Sequence, residues 1–357
     1  MHFKDQIANL PPYKPPKLIR QQPQGVTKLS SNENPLGPSP RAVAAIQAAA
    51  AGVHRYPDAG AVALRQALAS RYSLEPEQVL CTNGSDEAVF LTCLAFLGEG
   101  DNAVMAHGSF ISYYLRTLEM GAEAVRVPLR DYTHDLEAMA DAITDRTRLL
   151  LVCNPNNPTG TTNSAAEMSR LLARVPDDVL VVVDEAYIEF VDRPDYPDLL
   201  GELRGGRRNL LLLRTFAKIY GLAGLRLGYA FGHPDVIGYL DRARPTFNVN
   251  ALAQAAALAA LEDQEHVARS REHAIACRQR FEQELRALGL SPVPTQTNFV
   301  AVPVPDDAAM TEALLERGIS VTPLAGWGLP GHIRISFGTD EENQRLFEAL
   351  RALLAGQ

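Results

Sequence analysis

The stretch NLLLLRTFAKIYGLAGLRLGYAFG occupies residues 209–232. Its first apolar run is typical of a buried strand that stops at Arg214, and a polar, glycine-punctuated loop then carries Lys218 and Arg226 before a second apolar run begins. Of the 34 lysine and arginine residues only five are lysines, and only Lys218 comes after residue 28. A desolvated lysine amine can lose its proton and attack a carbonyl, whereas arginine stays charged, so Lys218 is the candidate for covalent amine chemistry.

Composition narrows the classes of partner. The 357 residues are 46% apolar and 21% charged, as in ordinary globular proteins. A formal net charge of -8 without a basic stripe argues against a nucleic-acid partner. No apolar run is long enough to cross a bilayer, and the first residues lack the apolar region of a secretory signal, so we expect a cytoplasmic protein with no membrane partner.

The cysteines predict no metal site. They are far apart in the sequence, with no histidines at metal-ligand spacing, so we expect four buried, reduced thiols. They are Cys81, Cys93, Cys153 and Cys277.

Apolar runs alternate with helical patterns through the middle of the chain. The runs are nearly continuous in valine and leucine, which is typical of strands covered on both faces of a largely parallel sheet. They lie at residues 79–82, 102–106, 124–127, 149–153, 179–183, 210–213 and 227–231. The sequence therefore predicts an α/β fold with a large, doubly wound, mostly parallel sheet domain and a smaller α+β domain.

Four segments are expected along the chain. Prolines leave little room for a helix in residues 1–40, which are predicted to form an irregular N-terminal arm. Residues 41–250 are predicted to form the large domain, 251–288 a connecting helix, and 289–357 the small C-terminal domain. Clefts between two such lobes are common small-molecule sites.

Polar residues follow the carboxyl ends of the predicted strands. The ligand of an open parallel sheet binds at this edge, so we expect these side chains to converge although they are far apart in sequence. They are Gly84, Asn157, Asp184 and Lys218.

One end of the expected site suits a phosphate. The NGSD segment at residues 83–86 opens a helix whose free backbone amides favour an anion, although Ser85 could simply cap that helix. Arg226 would neutralise the same phosphate, and Thr215 could add a hydroxyl.

The other end suits a flat, charged ring. A carboxylate directly after a buried strand needs a cationic partner, which for Asp184 could be a salt bridge or a protonated pyridine nitrogen that makes a ring an electron sink. Asn157 and Tyr187 could donate to one phenolate oxygen, and Phe110 could stack on the ring or belong to the core. A ring that bears a phosphate, a pyridine nitrogen, a phenolate and an aldehyde is pyridoxal 5'-phosphate.

The chain resembles the class I/II, fold-type I aminotransferases, which use this cofactor, and within them most resembles the histidinol-phosphate group. The resemblance covers nearly the whole chain. It rests on SNENP (31–35), RYPD (55–58), NGSD (83–86), NPNNPTG (154–160), DEAY (184–187), RTFAKIYGLAGLR (214–226) and GLPGHIRISFGT (328–339).

The resemblance implies roles for individual residues. Lys218 would hold the cofactor covalently and then move the proton between the substrate Cα and the cofactor C4′, with Asp184 on the pyridine nitrogen. Asn157 and Tyr187 would bind the ring oxygen, and Phe110 would stack on the ring. The phosphate ligands would be Gly84, Ser85, Asp86, Thr215, Arg226 and, from the other subunit of a homodimer, Tyr56. The substrate side would contain Arg334 on the carboxylate of glutamate, Tyr13 of an arm that crosses the subunit interface, Asn32 and Thr322.

Two residues depart from the family pattern. Ala217 stands before the lysine where serine is common. Thr322 stands where histidinol-phosphate enzymes usually have an arginine for the substrate phosphate, a charge-assisted contact that can contribute a few kcal/mol.

The expected reaction is amino transfer between histidinol phosphate and 2-oxoglutarate or glutamate, in histidine biosynthesis. An aromatic amino acid aminotransferase is the second reading, and a decarboxylase of a phosphorylated amino acid the third. A nicotinamide enzyme is disfavoured because the turn after residues 79–82 lacks Gly-x-Gly-x-x-Gly. A non-catalytic alternative is a binding or regulatory module of the same fold, and such a regulator would usually carry an added DNA-binding segment.

Overall fold

The structure is a computed structural model that describes residues 1, 4–10 and 25–355. The strands in the described part are β1 (Thr27–Lys28), β2 (Val79–Thr82), β3 (Asn102–His107), β4 (Glu123–Arg130), β5 (Thr133–His134), β6 (Thr147–Cys153), β7 (Leu180–Asp184), β8 (Leu210–Thr215), β9 (Gly228–Gly232), β10 (Phe299–Pro303), β11 (Ile319–Ser320), β12 (Thr322–Pro323) and β13 (His332–Ser336). The helices are α1 (Asp5–Ala8), α2 (Pro40–Ala50), α3 (Val62–Tyr72), α4 (Ser85–Phe96), α5 (Ile111–Glu119), α6 (Leu136–Asp141), α7 (Ala165–Arg174), α8 (Leu199–Arg204), α9 (Pro234–Ala243), α10 (Ala251–Glu262), α11 (Gln264–Ala287), α12 (Asp307–Glu316) and α13 (Asp340–Leu354).

A mostly parallel sheet of eight strands organises the large part of the chain. Its strand order is β2-β9-β8-β7-β6-β3-β4-β5, and the five central strands from β8 to β4 pair in parallel. Cys153 is paired with Asp184, and Asp184 with Leu213, so the carboxyl ends of β6, β7 and β8 lie level. The prediction of a largely parallel α/β sheet is confirmed, with β9 and β5 as antiparallel additions.

Helices cover both faces of this sheet. Val181 and Val183 of β7 lie in one core with residues of α3, α7 and α10, whereas Leu180 and Val182 lie in a second core with residues of α4, α5 and α9. Because alternate side chains of a strand point to opposite faces, a strand buried on both faces needs an unbroken apolar run. This explains why the strand segments could be recognised in the sequence.

A smaller three-stranded antiparallel sheet, in the order β10-β13-β12, follows in the carboxyl-terminal part, together with α12 and α13. Strand β1 also belongs there, because Thr27 and Lys28 pair in parallel with β11. The segment predicted as an irregular arm therefore contains one short strand, and α1 precedes its proline-rich part.

The predicted connecting helix is two helices, α10 and α11, separated at Asp263. Asp263 has a non-helical backbone with ψ of 68°, and its carboxylate accepts a hydrogen bond from the backbone N–H of His266, which caps α11. This local cap outweighs the helical pattern, which continues through the break. The segment boundaries themselves stay a prediction.

Two further features of the described residues bear on the sequence analysis. All four cysteines are free and buried, as expected. Among the helices described, none combines the length and the apolar character needed to span a membrane.

Candidate active site

A cavity of about 140 Å³ lies at the carboxyl edge of the central sheet. Every residue predicted to bind the cofactor lines it, except Gly84 and Tyr56. Its lining consists of Ser85, Asp86, Phe110, Cys153, Asn157, Asp184, Ala186, Tyr187, Thr215, Ala217, Lys218 and Arg226. The level ends of β6, β7 and β8 thus bring together side chains that are far apart in the sequence.

Lys218 presents its amine to this cavity from the loop after β8. Its Nζ donates a hydrogen bond of 3.2 Å to the carbonyl oxygen of Ser31 and lies 5.6 Å from the centre of the Tyr187 ring. Burial, aided by the positive charge of Arg334, lowers the pKa of this amine to about 8. About a tenth of the amine is therefore uncharged at pH 7, and this is the form that attacks a carbonyl.

Asp184, the last residue of β7, is 4% exposed. Its Oδ2 accepts a hydrogen bond of 2.8 Å from the Tyr113 hydroxyl, and its Oδ1 accepts one of 3.0 Å from the backbone N–H of Ala186. Burial raises the pKa of the carboxyl to about 6. Within the described residues no lysine, arginine or histidine makes a salt bridge to it, so the internal ion pair considered from the sequence is absent there, and the carboxylate is suited to a cation inside the cavity.

The predicted phosphate end consists of the start of α4 and Arg226. Gly84, not Ser85, is the N-cap residue, and it has no side chain to occupy the free N–H groups of the first turn. Gly84 has a φ of 80°, which favours glycine, and a Cβ atom there would lie 2.6 Å from Nη2 of Arg226, so glycine allows the guanidinium to approach the turn closely. A bare helix amino terminus beside an arginine is a suitable anion site.

Two predicted phosphate ligands use their side chains within the protein. The carboxylate of Asp86 accepts hydrogen bonds from the Ser112 hydroxyl and from Arg116 at 3.0 Å. The Thr215 hydroxyl donates to the carbonyl oxygen of Leu227 at 3.3 Å. For Asp86, the backbone N–H is the group left for an anion.

The two predicted ring-oxygen donors, Asn157 and Tyr187, lie on the side of the cavity nearer the small sheet. Asn157 accepts a hydrogen bond of 2.6 Å at Oδ1 from Arg334, which leaves its amide N–H groups for another acceptor. The Tyr187 hydroxyl accepts a hydrogen bond of 2.9 Å from Asn32. Phe110 lies at the cavity wall and contacts Tyr113 edge to face, with a centroid distance of 5.5 Å.

Arg334 is a buried guanidinium on β13. It donates to the carbonyl oxygen of Ser30 at 2.8 Å, and its Cζ lies 5.2 Å from the centre of the Trp327 ring. Its Nε has no partner among the described residues. Burial lowers the pKa of this guanidinium. An incompletely paired, buried cation is suited to a carboxylate ligand.

The remaining predicted residues lie elsewhere or outside the description. Thr322 donates to the carbonyl oxygen of Ser30 at 2.8 Å. Asn32 is buried behind Tyr187 and does not line the cavity. Tyr56 is 82% exposed, stacked on Phe247, and Tyr13 lies outside the described residues.

Several further residues that were not predicted from the sequence contribute to the site. Cys153 and Ala186 line the cavity, Ser31 holds the lysine amine, and Tyr113 holds the carboxylate of Asp184. Tyr113 lies one helical turn after Phe110, but nothing in the sequence indicated that its hydroxyl would reach β7.

Comparisons with known proteins agree with this geometry. Residues 24–350 match the family described as aminotransferase class I and II. The chain is 43% identical to the histidinol-phosphate aminotransferase of Moorella thermoacetica, over 99% of this chain and 93% of that protein. It is 44% identical to the histidinol-phosphate aminotransferase of an Anaeromyxobacter species, over 98% of both.

Two solved structures are similar along nearly the whole chain. The histidinol-phosphate aminotransferase of Sinorhizobium meliloti, in complex with pyridoxal-5'-phosphate, aligns with a TM-score of 0.90 at 30% identity over 99% of this chain and 98% of that one. The aspartate aminotransferase of Thermus thermophilus with maleate aligns with a TM-score of 0.85 at 27% identity over 100% of both.

Proposed function

Because the chain belongs to the class I and II aminotransferases and is a pyridoxal-phosphate-dependent transaminase, we propose that it transfers the amino group between histidinol phosphate and 2-oxoglutarate or glutamate, in histidine biosynthesis. The similarity over nearly the full length of relatives that carry this name supports the substrate pair.

The residues of the cavity fit the cofactor. Asp184 is a buried carboxylate that lacks a cation in the described part of the chain, Lys218 is an amine with a lowered pKa, and Arg226 lies at a bare helix amino terminus. When bound, pyridoxal phosphate supplies a carbonyl that takes up the amino group and a ring that accepts electron density from the substrate Cα. The observation that carries the assignment is the presence of Asp184 and Lys218 on one cavity.

Each residue then has a chemical task. Lys218 would hold the cofactor and, as a free amine, would move the proton at the substrate Cα, for which a pKa of about 8 is suitable. Asp184 would keep a proton on the ring nitrogen of the bound cofactor, and Asn157 and Tyr187 would donate to its ring oxygen. Arg334 holds the substrate carboxylate with its planar guanidinium.

Thr322 supports a second candidate, an aromatic amino acid aminotransferase. This residue brings an uncharged hydroxyl to a position where an arginine would serve the substrate phosphate, and the hydroxyl is already bonded to Ser30. Phe110 and Trp327, whose ring centroids are 6.1 Å apart, offer aromatic surface beside Arg334 that would also suit an unphosphorylated ring.

A donor screen separates the two candidates. The loaded enzyme is mixed with histidinol phosphate or phenylalanine, and loss of its visible absorption band reports amino transfer. We expect a full change with histidinol phosphate; a full change with phenylalanine alone would move the assignment to the second candidate, and carbon dioxide without a keto product would indicate a decarboxylase. The Thr322→Arg variant should lower the KM for histidinol phosphate and leave that for phenylalanine unchanged.

The assembly proposed with this function is a homodimer. Tyr56 is 82% exposed, and Val53, which lines the same surface cavity, is 59% exposed, so this apolar surface is suited to a second copy that receives Tyr56 at its phosphate site. Sedimentation measurements test the dimer. Tyr56→Phe should weaken the binding of pyridoxal phosphate and leave the dimer intact. The N-terminal arm at the interface and the cytoplasmic location stay predictions.

A further inference from the structure

Three consecutive residues, Ser30 to Asn32, contact three groups of the candidate site. The Ser30 carbonyl accepts from Arg334, the Ser31 carbonyl accepts from Lys218, and the Asn32 side chain reaches Tyr187. Asn32 is 1% exposed and has a left-handed backbone with φ of 55°. Asparagine tolerates this conformation better than most residues, but it still costs free energy, which indicates that the segment is held by specific contacts.

A chain of hydrogen bonds sets the orientation of the Asn32 amide. The backbone N–H of Asn32 donates to Ser336 Oγ at 2.8 Å, and the Ser336 hydroxyl donates to Asn32 Oδ1 at 2.9 Å. A backbone N–H can only donate, and a hydroxyl has one proton, so this arrangement directs the serine proton to the amide oxygen. The amide NH₂ group then faces Tyr187, whose oxygen it approaches to 2.9 Å.

This orientation decides where the Tyr187 proton goes. The phenol oxygen accepts from Asn32, so its single proton is not needed for that bond. Within the described residues the Tyr187 hydroxyl makes no other hydrogen bond, and Tyr187 lines the cavity. An accepted hydrogen bond also polarises the hydroxyl and strengthens it as a donor.

We infer that Asn32 is a positioning residue, which turns the Tyr187 hydroxyl into a donor toward the ring oxygen of the cofactor. The sequence resemblance had suggested a place for Asn32 in the substrate site. The inference rests on the role proposed above for Tyr187 and adds the group that sets the direction of its proton.

Asn32→Asp is the informative variant because it keeps the shape and reverses the bond. An aspartate carboxylate accepts the Tyr187 proton, so the phenol oxygen would present lone pairs to the anionic ring oxygen. Tyr187→Phe removes the hydroxyl, and the double variant completes a cycle that isolates the coupling between the two positions.

Two readouts distinguish positioning from general damage: the Kd of the apoprotein for pyridoxal phosphate, and the pH midpoint of the visible absorption change of the loaded enzyme. A lost hydrogen bond to an anionic oxygen should weaken binding by about 10-fold to 100-fold and raise the midpoint by about one pH unit. We expect Asn32→Asp and Tyr187→Phe to show similar effects, and the double variant to be no worse than Tyr187→Phe alone.

The outcomes separate this inference from the proposed function. If Tyr187→Phe shifts both readouts and Asn32→Asp shifts neither, or if the two effects add in the double variant, the inference is overturned while the role of Tyr187 stands. If Tyr187→Phe changes neither readout, both fail. Ser336→Ala, which frees the amide to rotate, should give a smaller shift in the same direction, and it replaces Asn32→Asp in the cycle if that variant does not fold.

Discussion

Asp184→Asn should change the stability of the apoprotein and its affinity for the cofactor in opposite directions. Burial raises the pKa of this carboxyl from 3.8 to about 6, so the folded apoprotein binds a proton there more tightly than the unfolded chain does. The free energy of unfolding therefore falls as the pH rises from about 4 to about 6, because the folded state must then lose a proton that it prefers to keep. Asparagine has no such proton, and the variant avoids this loss.

The size of the effect follows from the same values. A difference of about two pKa units corresponds to about 3 kcal/mol. The amide offers one oxygen where the carboxylate accepts from both Tyr113 and Ala186, and the altered hydrogen bond offsets about 1 kcal/mol. At pH 7.5 we expect the variant apoprotein to be more stable by about 1 to 3 kcal/mol, with no gain near pH 4. Cofactor binding should weaken by about 10-fold to 100-fold, because the ring nitrogen loses a charged acceptor.

Urea unfolding of both apoproteins at the two pH values, followed by circular dichroism, measures the first effect, and titration with pyridoxal phosphate measures the second. Asp195→Asn is the control, because Asp195 is exposed and its pKa is lowered by hydrogen bonding to Arg193, so its replacement should give no gain. An Asp184→Asn apoprotein that is less stable than the wild type at pH 7.5, or equally stabilised at both pH values, would refute the reasoning.

Three other perturbations have defined outcomes. Glu185→Ala removes the carboxylate that pairs with the buried guanidinium of Arg214 at 2.8 Å, so the free energy of unfolding in urea should fall by about 3 to 5 kcal/mol. Glu123→Ala, which breaks an exposed ion pair, should lower it by less than about 1 kcal/mol, and similar losses in the two variants would contradict this. Tyr113→Phe removes the hydroxyl that donates to the active-site carboxylate, so the pKa of that carboxyl should rise further and the affinity for pyridoxal phosphate should fall with little change in KM; NMR titration and cofactor titration check this. Lys218→Ala should bind the cofactor reversibly, and mass spectrometry after borohydride reduction should show no added mass, unlike the wild type.

The strands of the sheet could be predicted because a strand that is buried on both faces has an unbroken apolar run in the sequence. The strands β6, β7 and β8 could be found as unbroken valine and leucine runs, and the polar residues after them could be placed on one edge. Lys218 was recognisable because the chain has arginine at nearly all of its remaining basic positions. These signals are local or compositional, so one sequence suffices to detect them.

Contacts between distant side chains left no such trace. Asn32 and Tyr187 are 155 positions apart, and Tyr113 and Asp184 are 71 positions apart. Whether a hydroxyl or an amide reaches its partner depends on the packing of α5 and of the small sheet against β7, which no local pattern determines. The break at Asp263 was missed for a different reason, since the apolar periodicity continues on both sides of a single capping residue.

Strand β9 is the last strand of the large sheet in sequence, yet it lies between β2 and β8. In the described chain β2 pairs only with β9, and β9 joins it to β8, so β2 is connected to the rest of the sheet through the strand that comes last in sequence. Gly228 allows β9 to pack closely against the start of α4, because a Cβ atom at this position would lie 2.3 Å from the backbone nitrogen of Ser85. The pairing of β2, which leads directly into the start of α4, therefore cannot be completed until the chain has been synthesised through β9, at Gly232.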